Sequence, residues 1–153
     1  MKLEGVAVLG VGTTRFGVYP DRSVNDLSRE AGLRALDDAG ISFADVGEAF
    51  VGYIGGTPMT GIRAMKEFGL TGLPVSHVEN ASATGLVAFR EAAHAVASGR
   101  CEIAMALGFD KMSEMTARGR GGRGTGRDSI DNVILPALGS TSQRNTFIEA
   151  FCG

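Results

Sequence analysis

One hydroxyl side chain in this sequence stands where chemistry is favoured: Ser82, inside the run Val78-Glu79-Asn80-Ala81-Ser82-Ala83-Thr84-Gly85. Residues 73–78 read as a strand, and a helical run follows from about residue 83 to 98. A strand-to-helix turn exposes one side chain at a helix N-terminus, where free backbone N–H groups and the positive end of the dipole favour developing negative charge. Ala81, Ala83 and Gly85 are small enough for the turn to be tight and for a substrate to approach the backbone. Three roles follow for Ser82: a covalent nucleophile, a hydrogen-bond donor to a bound carbonyl, or an ordinary helix cap, since serine is a preferred N-cap residue. The first needs an adjacent general base, and the chain shows no Ser/His/Asp arrangement with recognisable spacing. Nor is this a G-x-S-x-G elbow, because Asn80 and Thr84 stand two residues to either side. His77, in the preceding strand, and His94, within the following helix, read as structural residues.

The elements that position this turn alternate. Residues 6–11 form a continuous apolar run closed by Gly10 and Gly12, which predicts a buried strand in the middle of a parallel sheet. Ser23 with Asp26 three residues later resembles a capping box, and Val24, Leu27, Ala31, Ala35 and Leu36 recur at helical spacing up to Gly40. A short strand over 48–53, a turn at Gly55-Gly56, a helix over 61–68 ended by Gly69, the strand over 73–78, the helix over 83–98 and a strand over 102–107 complete the ordered part. This alternation predicts a layered α/β fold with a parallel or mixed sheet and right-handed crossovers.

Composition narrows the class. A chain of 153 residues, 44% hydrophobic and 21% charged with a net charge of -2, is long enough for one soluble domain with a core. No apolar run reaches membrane-spanning length and no secretory leader is read, so the expected location is cytoplasmic. Cys101 and Cys152 lie far apart without metal-ligand spacing, so both read as reduced thiols and no metal site is expected. Residues 117–127 carry four arginines and five glycines without apolar periodicity, a surface loop. An RNA-binding reading of this loop fails on the slightly acidic chain and the lack of interleaved aromatics, so no nucleic-acid partner is expected. A cationic loop suits a phosphorylated small ligand, while a solvated connector is the plainer reading. Apolar residues between 130 and 153 suggest helix fragments in need of a partner surface.

Three motifs in order give the set a family resemblance. The opening Val8-Leu9-Gly10-Val11-Gly12-Thr13-Thr14-Arg15-Phe16-Gly17, the turn at residues 78–85 and Gly108-Phe109-Asp110-Lys111-Met112-Ser113 together resemble the thiolase superfamily, in its sterol-carrier or lipid-transfer branch. The turn resembles the family's V-N-x-x-C-x-[ST]-G, with Glu79 at the second position and Ser82 at the nucleophilic cysteine, and the third motif is similar to G-x-E-x-M-S. The resemblance covers about residues 4–115. It implies one βαβαβαβ half of a layered fold, with a mixed, mostly parallel sheet between helices, as residues 1–115, and the start of a loop domain as residues 116–153. The family's catalytic histidine, second cysteine and Asn-Glu-Ala-Phe element belong to the other half; the piece at 147–151 is in the wrong place to stand for the last.

What the resemblance implies for function is an acyl-CoA-binding, acyltransferase-like protein whose ligand or substrate is a coenzyme A thioester, with no permanently bound cofactor. Arg118, Arg120, Arg123 and Arg127 are then candidate contacts to CoA phosphates. Ser82 in place of cysteine makes thiolysis doubtful. Two further readings stand beside this: a lyase cleaving side chains of steroid-type acyl-CoA thioesters by retro-aldol chemistry with an OB-fold partner, and a truncated, non-catalytic accessory half-subunit. Either a homo-oligomer or a hetero-oligomer with the OB-fold partner is expected, because a lone half leaves apolar faces that normally pack.

Overall fold

The structure, a computed structural model, describes residues 5–54 and 58–111. Within them lie α1 (Val24–Ala39), a 3-10 turn (Phe43–Asp45), β1 (Glu48–Gly52), α2 (Thr60–Met65), β2 (Val75–Val78), a second 3-10 turn (Ala81–Ala83), α3 (Thr84–Ala97) and β3 (Ala104–Gly108). The three strands form one parallel sheet in the order β2-β1-β3. Helices cover both faces, so the expected layered α/β class holds. The Gly55-Gly56 turn, the Arg118 to Arg127 loop, Cys152 and the apolar residues beyond 130 lie outside the described residues.

β1 is central, and every one of its residues is buried, as a strand covered on both faces requires. Alternation then sorts its side chains. Ala49, Val51 and the following Tyr53 join Met105 and Leu107 of β3 on one face, packed by Phe43, Val46 and Met65 with Leu36 and Phe68 at the margin. Phe50 points the other way, into Ala88, Ala92 and Ala95 of α3. Three alanines on the inner stripe of α3 let that helix approach the sheet closely.

Charge pins the amino edge of the sheet. Glu48, 8% exposed, accepts hydrogen bonds on both carboxylate oxygens from Arg100, in the connection between α3 and β3. The Arg100 guanidinium also lies 5.7 Å from the centroid of the Phe50 ring. The bond to Glu48 raises the Arg100 pKa above its ordinary value. A buried carboxylate is tolerable only with such a partner.

Helix α1 begins as its sequence predicts. Ser23 Oγ accepts from Asp26 N at 3.1 Å while the Asp26 carboxylate accepts from Ser23 N at 2.8 Å, a reciprocal box with aspartate at N3. Gly40 ends the helix at φ 67°, a left-handed cap. Ser42 and Asp45 repeat the box at the 3-10 turn.

The first predicted strand is the clear departure. Residues 6–11 are not part of the sheet, which among the described residues holds only β2, β1 and β3. The segment instead rests on α1: Val11 N donates to Asp38 Oδ2 at 2.8 Å, and Arg34 Nη1 donates to the Thr13 carbonyl at 2.6 Å. The glycines explain the seat. A Cβ at Gly12 would press on the Ala31 carbonyl oxygen and lie 2.5 Å from Ala35 N, and one at Gly10 would lie 2.5 Å from Ala39 N. Val8, Leu9 and Val11 are left 60%, 56% and 69% exposed, so the apolar run does not mark burial here.

Two outcomes are expected from these contacts. Gly12→Ala should destabilise the chain by about 1–3 kcal/mol through over-packing, with faster amide exchange at Val11; an unchanged melt and exchange rate would show that the segment does not rest on α1. Hydrogen bonds from Ser23 and from Ser42 hold the Asp26 and Asp45 carboxyls below their ordinary 3.8. A depressed folded-state pKa means stability present above the unfolded value and lost as pH falls through it and below. Ser23→Ala with Ser42→Ala should therefore flatten the acid side of a stability-against-pH curve below about pH 4, measured by thermal melts.

Candidate functional site

Ser82 sits where the sheet hands over to α3. At the carboxyl ends of the strands the register sets Val78, Gly52 and Gly108 abreast, Gly52 pairing with both neighbours. The first turn of α3 comes down onto the two glycines. A Cβ at Gly52 would lie 2.7 Å from Thr84 Cγ2 and 2.8 Å from the Thr84 carbonyl oxygen, and one at Gly108 would lie 3.0 Å from Gly85 Cα. Any side chain at these positions would lift the turn away from the sheet.

The turn itself is held by its own polar groups. Ala83 N donates to the Asn80 carbonyl at 2.9 Å, closing the 3-10 turn. Ala81 N donates to Glu79 Oε1 at 2.6 Å, and Thr84 Oγ1 accepts from Asn80 N at 2.8 Å while donating to the Ala81 carbonyl at 2.6 Å. Ala81 adopts φ 44°, a left-handed conformation that non-glycine residues rarely hold.

Ser82 is exposed, and its hydroxyl makes no hydrogen bond among the described residues. This removes one of the three expected roles. Asn80, capping the 3-10 turn, and Ala83, capping α3, both lack a side-chain cap bond, so Ser82 is not a helix cap. The polar work at this helix start is carried by Thr84 and Glu79.

No general base is bonded to Ser82 among the described residues. His77 Nε2 lies 3.1 Å from the Tyr53 carbonyl oxygen, its ring stacked on Tyr53 at 3.9 Å. His94 is in the last turn of α3, at the other end of the helix. Neither histidine is bonded to Ser82. Cys101 is a free thiol beside Arg100, and burial pushes its pKa up, the direction opposite to activation. No group of metal-ligating side chains is found among the described residues. No helix among them is long and apolar enough to cross a membrane.

The rest of the carboxyl edge is tied together by ring contacts and hydrogen bonds. Tyr53 lies between His77 and Phe109, the Phe109 ring stacked at 5.6 Å, so one aromatic layer runs across the ends of all three strands. Phe109 N donates to the Gly52 carbonyl at 3.0 Å and Asp110 Oδ1 accepts from Ile54 N at 3.0 Å. Asp110 stands at the acidic position of the Gly108 motif, and here that acid ties two strand ends together. Gly52, Glu79 and the hydroxyl of Thr84 were not singled out from the sequence. The available signal was a glycine ending a strand in line with Gly108, legible only once the register is known.

Comparison with known proteins gives the family and the fold. Residues 6–146 match the family described as thiolase, N-terminal domain. Human sterol carrier protein 2 is 42% identical over 116 residues, covering 73% of this chain and 21% of its own length. The non-specific lipid-transfer protein-like 2 of Caenorhabditis elegans is 36% identical over 71% of the chain and 27% of its length. An acetyl-CoA acetyltransferase of Methanothermobacter thermautotrophicus is 39% identical over 74% of the chain and 31% of its length. The chain thus spans about a fifth to a third of these relatives. Among solved structures, an Ltp2-ChsH2(DUF35) aldolase superposes with TM-score 0.63 at 24% identity, over 96% of this chain and 38% of that one. A priming beta-ketosynthase superposes with TM-score 0.52 at 22% identity, over 60% of this chain and 37% of its own.

If the two glycines set the height of the turn, Gly52→Ala should cost about 1–3 kcal/mol as an over-packing change. The same variant should speed amide exchange at Asn80, read by mass spectrometry. Retention of both melt and exchange would mean that the turn does not rest on β1.

Proposed function

The chain belongs to the thiolase family, whose N-terminal domain it matches over residues 6–146, and on that premise we propose an acyl-CoA-binding role centred on Ser82. The observation that carries the proposal is an exposed Ser82 at the start of α3, seated at the carboxyl ends of parallel strands. Ligands of open α/β folds bind at such strand ends, and a helix N-terminus suits an oxygen that gains negative charge.

The thiolase-type acyl transfer that the resemblance implies begins with a thiolate attacking the thioester carbonyl. The acyl group passes to that sulfur and the CoA sulfur leaves with the electron pair of the broken bond. Such a step depends on a thiol pKa lowered from about 8.5, which a helix N-terminus favours. The hydroxyl of Ser82 is not ionised by the same environment, and no base is bonded to it among the described residues. The role proposed for Ser82 is therefore a hydrogen-bond donor to the thioester carbonyl rather than a covalent nucleophile. Arg118, Arg120, Arg123 and Arg127 supply positive charge for the phosphates of CoA.

A second reading is favoured by the same serine. Retro-aldol cleavage of an acyl-CoA side chain needs a base and a polarised carbonyl but no thiolate, so a hydroxyl in this place is compatible with it. The similarity to an aldolase that pairs Ltp2 with ChsH2(DUF35) makes a lyase acting with an OB-fold partner the competing proposal.

Substitution tests the placement of Ser82 that both readings share. Ser82→Cys, incubated with acetyl-CoA, should gain one acetyl group on the peptide containing residue 82, while the parent chain gains none. Intact-protein and peptide mass spectrometry reads the result. Absence of the adduct in a folded variant would falsify the assignment of Ser82 to the nucleophile position.

A further inference from the structure

We infer that Thr84 positions Ser82, with its hydroxyl holding the backbone kink that presents the serine and its methyl seating that kink on the sheet. The inference deepens the reading of Ser82 as the acyl-CoA site and rests on it. Thr84 is 3% exposed, two residues beyond an exposed serine, and it is the first residue of α3.

The two ends of its side chain do separate jobs. Oγ1 spans the turn, accepting from Asn80 N at 2.8 Å and donating to the Ala81 carbonyl at 2.6 Å. These bonds bracket Ala81, whose φ of 44° is unfavourable for a residue with a Cβ and persists only where its surroundings impose it. Glu79 adds one further bond, from Ala81 N to Oε1 at 2.6 Å, but Glu79 is exposed whereas the threonine hydroxyl is enclosed. Cγ2 meanwhile faces Gly52, where an added Cβ would lie 2.7 Å away. Serine at residue 84 would keep the bridge and lose the seat. Valine would keep the seat and lose the bridge.

That separation makes the inference testable in the full 153-residue chain. Ser82→Cys introduces a thiol at the site, and its alkylation by iodoacetamide is followed from pH 5 to 10 with peptide mapping, which distinguishes it from Cys101 and Cys152. With Thr84 in place the thiol should titrate below the roughly 8.5 of an ordinary cysteine. Adding Thr84→Val should raise the midpoint by about one unit and slow alkylation at pH 7 by roughly 3- to 10-fold. Adding Thr84→Ser should preserve the profile even though it lowers the melting temperature. A residue with a merely structural role would not cross over in this way.

Superimposable profiles for Ser82→Cys with and without Thr84→Val overturn the inference, as does an ordinary cysteine profile with Thr84 intact. Should Thr84→Val fail to fold by circular dichroism, Thr84→Ala read against Thr84→Ser makes the same comparison. A profile that responds to Thr84 in a protein that acetyl-CoA does not acylate leaves the positioning role standing and removes the acyl-CoA reading.

Discussion

The close approach of α3 to the sheet, at the pair Gly52 and Gly108, is the constraint on which the site depends. Parallel strands in register bring the two glycines side by side, and no side chain rises between them and the helix. The backbone of Thr84 and Gly85 fills that space. From this contact follow the height of the turn, the exposure of Ser82 and the alignment of the helix N-terminus with the strand ends. Dense interiors leave no slack at such a point, because one added carbon must displace a packed neighbour.

The remainder of the described fold serves to keep β1 in place. Its side chains are divided between two cores, one built with Phe43, Val46 and Met65, the other with the alanine stripe of α3. The Glu48 and Arg100 pair closes the amino edge, and the His77, Tyr53 and Phe109 layer closes the carboxyl edge. A strand fixed at both ends and on both faces has little freedom to change register. The turn carrying Ser82 is seated on that strand through Gly52.

Reactivity is a separate matter from position. A helix N-terminus lowers the cost of an anion, which is decisive for a thiol that ionises near neutral pH and of little use to a hydroxyl without a base. Membership of the thiolase family accounts for the scaffold, and what a hydroxyl at residue 82 does on it is a question of chemistry that the scaffold alone does not answer.

Much of this was legible in the sequence, and for a physical reason. Capping boxes, helical periodicity and strand-to-helix alternation are local, so Ser23 with Asp26, the span of α1, the span of α3 and the place of Ser82 follow from residues near one another in the chain. Where the run at 6–11 lies was not local: it joins no strand of the described sheet and is held by α1, on which Gly10 and Gly12 settle and to which Val11 N bonds through Asp38. The same holds for the candidate site. Its serine and its turn could be read directly, but the meeting of Gly52, Thr84, Gly85 and Gly108, the bridging role of the Thr84 hydroxyl and the absence of a capping bond at Ser82 depend on strand register and helix packing. Those are contacts between residues distant in the chain, and only the tertiary structure decided them.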